Sequence, residues 1–343
     1  MRHRFKVREI AQQAGLSEAT VDRVLHDRPG VRLDTRAEVQ QAIADLDKQR
    51  SQLRLNGRKF LFDVVMQTPP RFSAEYRTAI EAELPMLSPA LVRCRFHFRD
   101  TESVPAMVET LEKLAARGTH GVILKAPDDP DVAQAIDAVV GTGSPVVTYV
   151  TDVPASNRLG YVGIDNRAAG ATAAFLVDQW LGDVDRDVLI TLSSNTFRGE
   201  EEREMGFRTT LRTLAAERGA GVGRTVVELA GTDGLDATVE SLVLEGLGRN
   251  PAIEAVYSIG GGNTAIVRAF EAAGRRCRVF IGHDLDEDNR VLLRSGAVSA
   301  VLHHELRADA RLACRMIMQA RGALDGVVNE ASRIHVLTRY NNG

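Results

Sequence analysis

Two sets of residues in this chain of 343 have types and spacings that suit recognition chemistry. The first is compact: Ser17, Glu18, Ala19, Thr20 and Arg23 fall within seven positions. An arginine can donate two parallel hydrogen bonds to guanine, a small methyl packs on a thymine methyl, and hydroxyls bind phosphate oxygens. Lys6 and Arg32, with Arg2 and Arg4, add charge for phosphates on either side. The second set is dispersed: Phe72, Asp152, Asn195, Arg203, Asn263, Asp284 and His304. Carboxylate, amide and guanidinium groups around an aromatic face suit a hydroxylated ring. Its OH groups both donate and accept, while its CH face packs on the aromatic side chain.

Covalent chemistry finds no comparable residues. Gly260-Gly261-Gly262-Asn263-Thr264 lacks the lysine of a phosphate-binding loop, and the glycine-rich run at 219–223 precedes a strand, not a helix. G-x-S-x-G and HExxH are missing, and no cysteine has a triad context. His303-His304-Glu305 invites a metal, but neighbours on a strand point to opposite faces and no third ligand stands at a sensible spacing. An enzyme is therefore not expected, nor a cofactor. Cys94, Cys277 and Cys314 form no CxxC, which fits a reducing compartment without disulfide or metal duty.

The elements that must position the two sets differ in kind. Val7, Ile10, Ala11 and Ala14 recur at helical spacing, Gly15 breaks the helix, and Ser17 is a good N-cap for a second. That second helix turns Val21, Val24 and Leu25 inward and leaves Glu18, Ala19, Asp22 and Arg23 outside. Thr35 and Glu38 read as a capping box opening a third helix, with Val39, Ala42, Ile43 and Leu46 inward. Helix, turn, helix is the pattern whose second helix enters the major groove. Spacing alone also fits a small helical cap with a solvated charged face.

From residue 60 the pattern alternates. Strands are expected at Phe60–Met66, Leu91–Phe98, Gly121–Leu124, Pro145–Val150, Asp187–Leu192, Thr225–Leu229, Ala255–Ile259, Arg278–Ile281 and Val298–Leu302. Helical stretches such as Ser103–Arg117, Arg167–Leu181, Glu200–Arg218 and Asn263–Ala273 lie between them. Repeated βα units imply doubly wound parallel sheets, and a break near residue 160 divides them into two lobes. Ligands then bind where strand C-terminal ends of both lobes face each other. Gln67, Lys125, Thr151 and Gly261, like most of the second set, stand just after apolar strands.

Charge separates the same two regions. The net charge of −3 resolves into +5 over residues 1–59 and −8 over the remainder. A basic first segment on an acidic body favours an appended DNA-binding module over a solvated cap. With 44% hydrophobic and 26% charged residues the chain is globular, not disordered. No run approaches the roughly 18 apolar residues of a membrane span. The basic start is followed by Arg8, Glu9, Gln12 and Gln13, unlike a secretory leader, so a cytoplasmic, nucleoid-associated protein is expected.

Over Val7–Leu25 the sequence resembles the headpiece of the lactose-repressor (LacI/GalR) family. Ile10-Ala11, Ala14-Gly15-Leu16-Ser17 and Thr20-Val21-Asp22-Arg23-Val24-Leu25 fall on its motif. The family's body is similar to periplasmic sugar-binding proteins of type I, so the resemblance covers essentially the whole chain. It implies a helix-turn-helix headpiece with hinge over 1–57 and an effector-binding and dimerisation domain over 58–343. Lobe 1 is expected at about 60–163 and 305–333, lobe 2 at about 164–304 and 334–343. It implies a homodimeric repressor of a catabolic operon, bound to a pseudo-palindromic operator and controlled by a small sugar, polyol or sugar acid. Glu18, Ala19 and Arg23 occupy base-reading positions. Arg203, three residues before Gly206-Phe207, matches the arginine that clamps sugar hydroxyls, and Asp284 matches the aspartate of the V-G-F-D motif. Asp152 lies within one position of an acidic ligand residue.

The family's Tyr-x-Pro-Asn-x-x-Ala-x-x-Leu hinge is replaced here by Leu46–Gly57, without the tyrosine, proline or alanine. Leu53 or Leu55 is then expected to supply the minor-groove wedge after a register shift. Other classes left open are a sugar receptor without transcriptional role and a sugar-processing enzyme. Arg198 beside Arg203 leaves a phosphorylated or carboxylated ligand open.

Overall fold

The computed structural model describes residues 4–184, 186–194, 196–218 and 224–342, and only the backbone of 51–54. Arg2, Asn195, the Leu53 side chain and the run at 219–223 lie outside the described residues.

Three helices open the chain: α1 (Val7–Ala14), α2 (Glu18–Leu25) and α3 (Leu33–Leu55). α1 stops because Gly15 takes a left-handed φ of 66°, which a residue without Cβ adopts freely. Ser17 then caps α2, its Oγ accepting from the Thr20 N–H at 3.1 Å. Ile10, Ala11, Val21, Val24, Val39 and Ala42 close a small core of their own.

α3 departs from the sequence reading twice. It begins at Leu33, so Thr35 lies inside its first turn and is no cap. It also runs unbroken through the segment read as a hinge, because no glycine or proline interrupts residues 33–55. Gly57, at φ 75°, ends the run. Leu55 is buried with Phe60 and Phe62 in the body's core. Leu55 is therefore not a free wedge here. Burying a leucine is worth about 1.5–3 kcal/mol, which a minor-groove insertion would have to replace.

The body holds two sheets. The first orders its strands β2-β1-β3-β4-β5, with β1 (Lys59–Gln67), β2 (Leu91–Arg99), β3 (Gly121–Lys125), β4 (Val146–Tyr149) and β5 (Gly160–Val162), all parallel. Helices α4 (Pro70–Glu83), α5 (Val104–Arg117) and α6 (Pro130–Gly141) connect them. Period-two alternation feeds both faces: Val64 and Met66 pack in one core, Val65 in the other.

After α7 (Asn166–Leu181) the second sheet runs β11-β10-β9-β8-β6-β7. Its strands are β6 (Asp187–Thr191), β7 (Val226–Leu229), β8 (Ile253–Ser258), β9 (Val279–His283), β10 (Ala300–His303) and β11 (His335–Leu337). They alternate with α8 (Arg198–Glu217), α9 (Asp236–Arg249), α10 (Asn263–Ala272) and α11 (Glu287–Ser295). The chain then returns to the first sheet, where α12 (Leu306–Ala320) packs on α4, before crossing again to β11.

Two strands were not legible in the sequence. β5 and β11 have three residues each and no apolar run. β11 also pairs antiparallel with β10, so the second sheet is not wholly parallel. Among the described residues no helix is long and apolar enough to cross a membrane.

Candidate effector cleft and DNA-reading face

Strand ends of both sheets converge on one cavity of about 130 Å³. Gln67 ends β1, Lys125 ends β3 and Thr151 follows β4; Ser193 follows β6, and His283-Asp284 close β9. The cavity sits in the crevice that open α/β sheets provide beyond their carboxyl ends.

Arg203 reaches this cavity because α7 and α8 touch backbone to backbone. A Cβ on Gly170 would lie 1.9 Å from the Arg203 carbonyl oxygen, and one on Gly206 would lie 2.1 Å from that of Arg167. Only glycine permits that approach. Arg203 is 4% exposed, and its Nε donates to Asn166 Oδ1 at 2.8 Å.

Asp284 stands on the facing wall at a φ of 63°. Aspartate tolerates this left-handed conformation better than most side chains. Burial pushes its carboxyl up, but His304 beside it, and then Arg203, outweigh burial and hold it well below the usual carboxylate range. Asn263 enters from the start of α10. Asn289 fixes it, accepting from Asn263 Nδ2 at 2.7 Å while donating to the His283 carbonyl at 3.0 Å. Phe72 forms part of the wall from α4, its ring 6.4 Å from Tyr149.

Two residues read as ligands stand elsewhere. Asp152 is turned away from the cavity. Val150 has a φ of 65°, and the Thr151 N–H donates to the Tyr149 carbonyl at 2.8 Å, closing a tight three-residue turn. That turn aims Thr151 at α8, where it accepts from Gly199 N at 3.1 Å. Asp152 swings outward, receives Thr148 Oγ1 at 2.6 Å and pairs with Arg158 on both carboxylate oxygens. His304 lies behind the wall at 1% exposure, not on it. Its Nδ1 is hydrogen-bonded to Asp309, and its Nε2 stands 3.6 Å from Asp284. Burial would lower its pKa; the two carboxylates overcome this and raise it to about 9. His304 positions Asp284.

Lys125, expected beside the cleft from its place after a strand, lines it, and Glu200 and Arg71, which the sequence did not single out, join it. Lys125 Nζ donates to the Gln67 carbonyl at 2.8 Å and sits 4.2 Å from the Phe197 ring, with burial bringing its pKa down to about 8. Glu200, from the first turn of α8, accepts from Ser193 N at 2.8 Å. Arg71, next to Phe72, crosses from α4 to the other lobe. It donates to the Gly234 carbonyl at 3.0 Å and faces Asp286 at 3.7 Å. The strand-end rule that picked Phe72 reaches Arg71 as well. Asp286 is the N-cap of α11, and burial pushes its carboxyl up to about 6. Arg198, read as a possible anion ligand, instead pairs with Asp128 at 3.4 Å and Glu202 at 3.2 Å.

The headpiece presents a different surface. Glu18, Ala19 and Arg23 are exposed on α2, while Thr20 is half-buried and bonded to Ser17 Oγ at 2.8 Å. Asp22 is held by His26 at 3.1 Å and Arg28 at 3.2 Å, which leaves Arg23 the uncompensated cation of that face among the described ion pairs. Lys6 and Arg32 are exposed at the starts of α1 and α3. Residues 6–49 match the model of the lacI family of bacterial regulatory proteins, and residues 68–324 that of the periplasmic binding protein domain. The chain belongs to the periplasmic binding protein domain family, whose model covers most of its length, and it carries in front of that body a headpiece that matches the lacI family of bacterial regulatory proteins.

Solved structures agree on the fold. A glucose-galactose binding protein of Geobacillus stearothermophilus is 20% identical with a TM-score of 0.72, covering 83% of this chain and 99% of its own. A protein described as a LacI transcriptional regulator from Bacteroides fragilis is 16% identical with a TM-score of 0.71, covering 83% and 98%. A solute-binding protein of Burkholderia graminis, solved with D-arabinose, is 20% identical with a TM-score of 0.71, covering 84% and 97%. No curated protein matches the sequence.

Proposed function

We propose that this chain is a sequence-specific DNA-binding transcription regulator that acts as a homodimeric repressor. Its two headpieces sit on a pseudo-palindromic operator, with half-sites about 34–36 Å apart per helical turn. A small hydroxylated effector, a sugar, polyol or sugar acid, binds between the lobes and alters DNA affinity through their relative angle. A coupling of about 1–3 kcal/mol is enough to change occupancy many-fold.

The observation that carries this reading is the coexistence of two surfaces in one chain. Arg203, Asn263 and Asp284 line an interlobe cavity, and Arg23, Glu18 and Ala19 face solvent on the second helix of the headpiece. The residues assigned to DNA are Ser17, Glu18, Ala19, Thr20, Arg23, Lys6 and Arg32; those assigned to the effector are Phe72, Arg203, Asn263 and Asp284. The test separates the two surfaces. Arg203→Ala should abolish effector heat in calorimetry while leaving effector-free DNA affinity within about twofold. Normal effector binding by that variant would reject the cleft.

A further inference from the structure

The charge of the effector is legible from how the cavity's own groups are used; this rests on the cleft being the effector site. We infer that the effector is an uncharged polyhydroxy compound, a free sugar or polyol, and that sugar acids and sugar phosphates are excluded.

An anionic end presents acceptors only. It needs donors not already committed and a cation not already balanced. Among the described residues the cavity wall holds eight carboxylates against three cations, Arg71, Lys125 and Arg203. Arg71 and Lys125 are committed, and Arg203, which keeps N–H groups for a ligand, is already balanced in charge by Asp284 and Glu200. Arg71 is spent across the cleft on the Gly234 carbonyl and Asp286. Lys125 is bonded to the Gln67 carbonyl and packed on Phe197. Arg203 donates to Asn166, with Asp284 and Glu200 as its charged neighbours in the cavity. Arg198, the fourth nearby cation, lies off the wall and is paired twice.

The unfilled capacity has the opposite sign. Gln67 Oε1 and Asn263 Oδ1 are buried acceptors with no hydrogen-bond partner, and Asp284 Oδ1 has only the 3.6 Å approach of His304 Nε2; all three residues line the cavity. Asn263 is fixed in that sense, because its amide nitrogen is consumed by Asn289. Buried acceptors want donors. Hydroxyl groups donate to these oxygens and accept from the remaining Arg203 N–H groups; a carboxylate or phosphate group supplies no donor to them and meets an acidic wall, whatever hydroxyls the rest of the molecule carries.

The experiment is calorimetry on the full chain with trios that share a carbon skeleton and differ in charge: D-arabinose, D-arabinonate and D-arabinose 5-phosphate, then D-glucose, D-gluconate and D-glucose 6-phosphate, with xylitol and D-xylonate as a polyol–acid pair. Binding should be confined to uncharged members, with the acid and phosphate of any bound parent at least about 30-fold weaker, since like-charge juxtaposition is costly. Asp286→Asn, which keeps a capping oxygen for α11, should narrow that gap at least about threefold. An acid or phosphate that binds as tightly as its uncharged parent overturns the inference and leaves the cleft standing. No binding by any member overturns the cleft reading, and the inference with it.

Discussion

At the scale of single residues, the cavity depends on a histidine that does not reach it. His304 is enclosed between Asp284 and Asp309, and its imidazole pKa is raised to about 9. A raised histidine contributes stability that is fully present below its unfolded value of about 6.5 and is lost as pH climbs through the folded one. The unfolding free energy read from urea titrations should therefore fall between about pH 6.5 and 9, by an amount on the order of 3 kcal/mol, and His304→Gln should flatten that decline. An unchanged slope in the variant would remove His304 from its supporting place. Arg23→Ala should cost about 1–3 kcal/mol on DNA and relax preference at one base pair, read from binding to operator variants. The sequence placed Phe72, Arg203, Asn263 and Asp284 by their positions after strands or on the next helix. Asp152 was misplaced because a positive φ at Val150 reversed the order of facing, and no periodicity announces that turn. His304 was near in sequence to the right place, yet a strand end does not say whether a ring lines a wall or stands behind it.

At the scale of elements, the contact of α7 with α8 sets where Arg203 lies. Gly206→Ala would place a methyl against the Arg167 backbone, and overpacking of this kind costs about 1–3 kcal/mol. The same substitution should weaken effector binding, since Arg203 and Asn166 would no longer meet; calorimetry beside denaturant melts reads both effects. α3 poses the reverse problem. Its helical period continues through 47–55 without a breaker, so the helix is long where the family resemblance led us to expect a hinge. Leu55→Ala should lower stability by about 2–5 kcal/mol, in line with other buried leucines, because it belongs to the core of the first sheet. Long strands and helices were readable from Val, Ile and Leu density, whereas β5 and β11 are too short to leave such a signal. They are specified by neighbouring strands instead.

At the scale of the molecule, two surfaces of opposite charge share one chain: +5 over the first 59 residues and −8 over the rest. The acidic body disfavours wrapping by DNA and leaves contact to the headpieces. The lobes are tied across the cavity by Arg71 on one rim and by the Asp128–Arg198 pair elsewhere. Removing Arg71 should open the unliganded lobes, which small-angle scattering would register as a larger radius of gyration. In the proposed regulator the cavity and the DNA-reading face are coupled. Selecting DNA from a random library with the full chain, then titrating the selected sequence with and without a sugar that binds the cavity, measures that coupling. Enrichment of a two-fold symmetric sequence is expected, its affinity shifting by about tenfold when the sugar is added. No enriched sequence, or an affinity that the bound sugar leaves unchanged, would contradict the proposal.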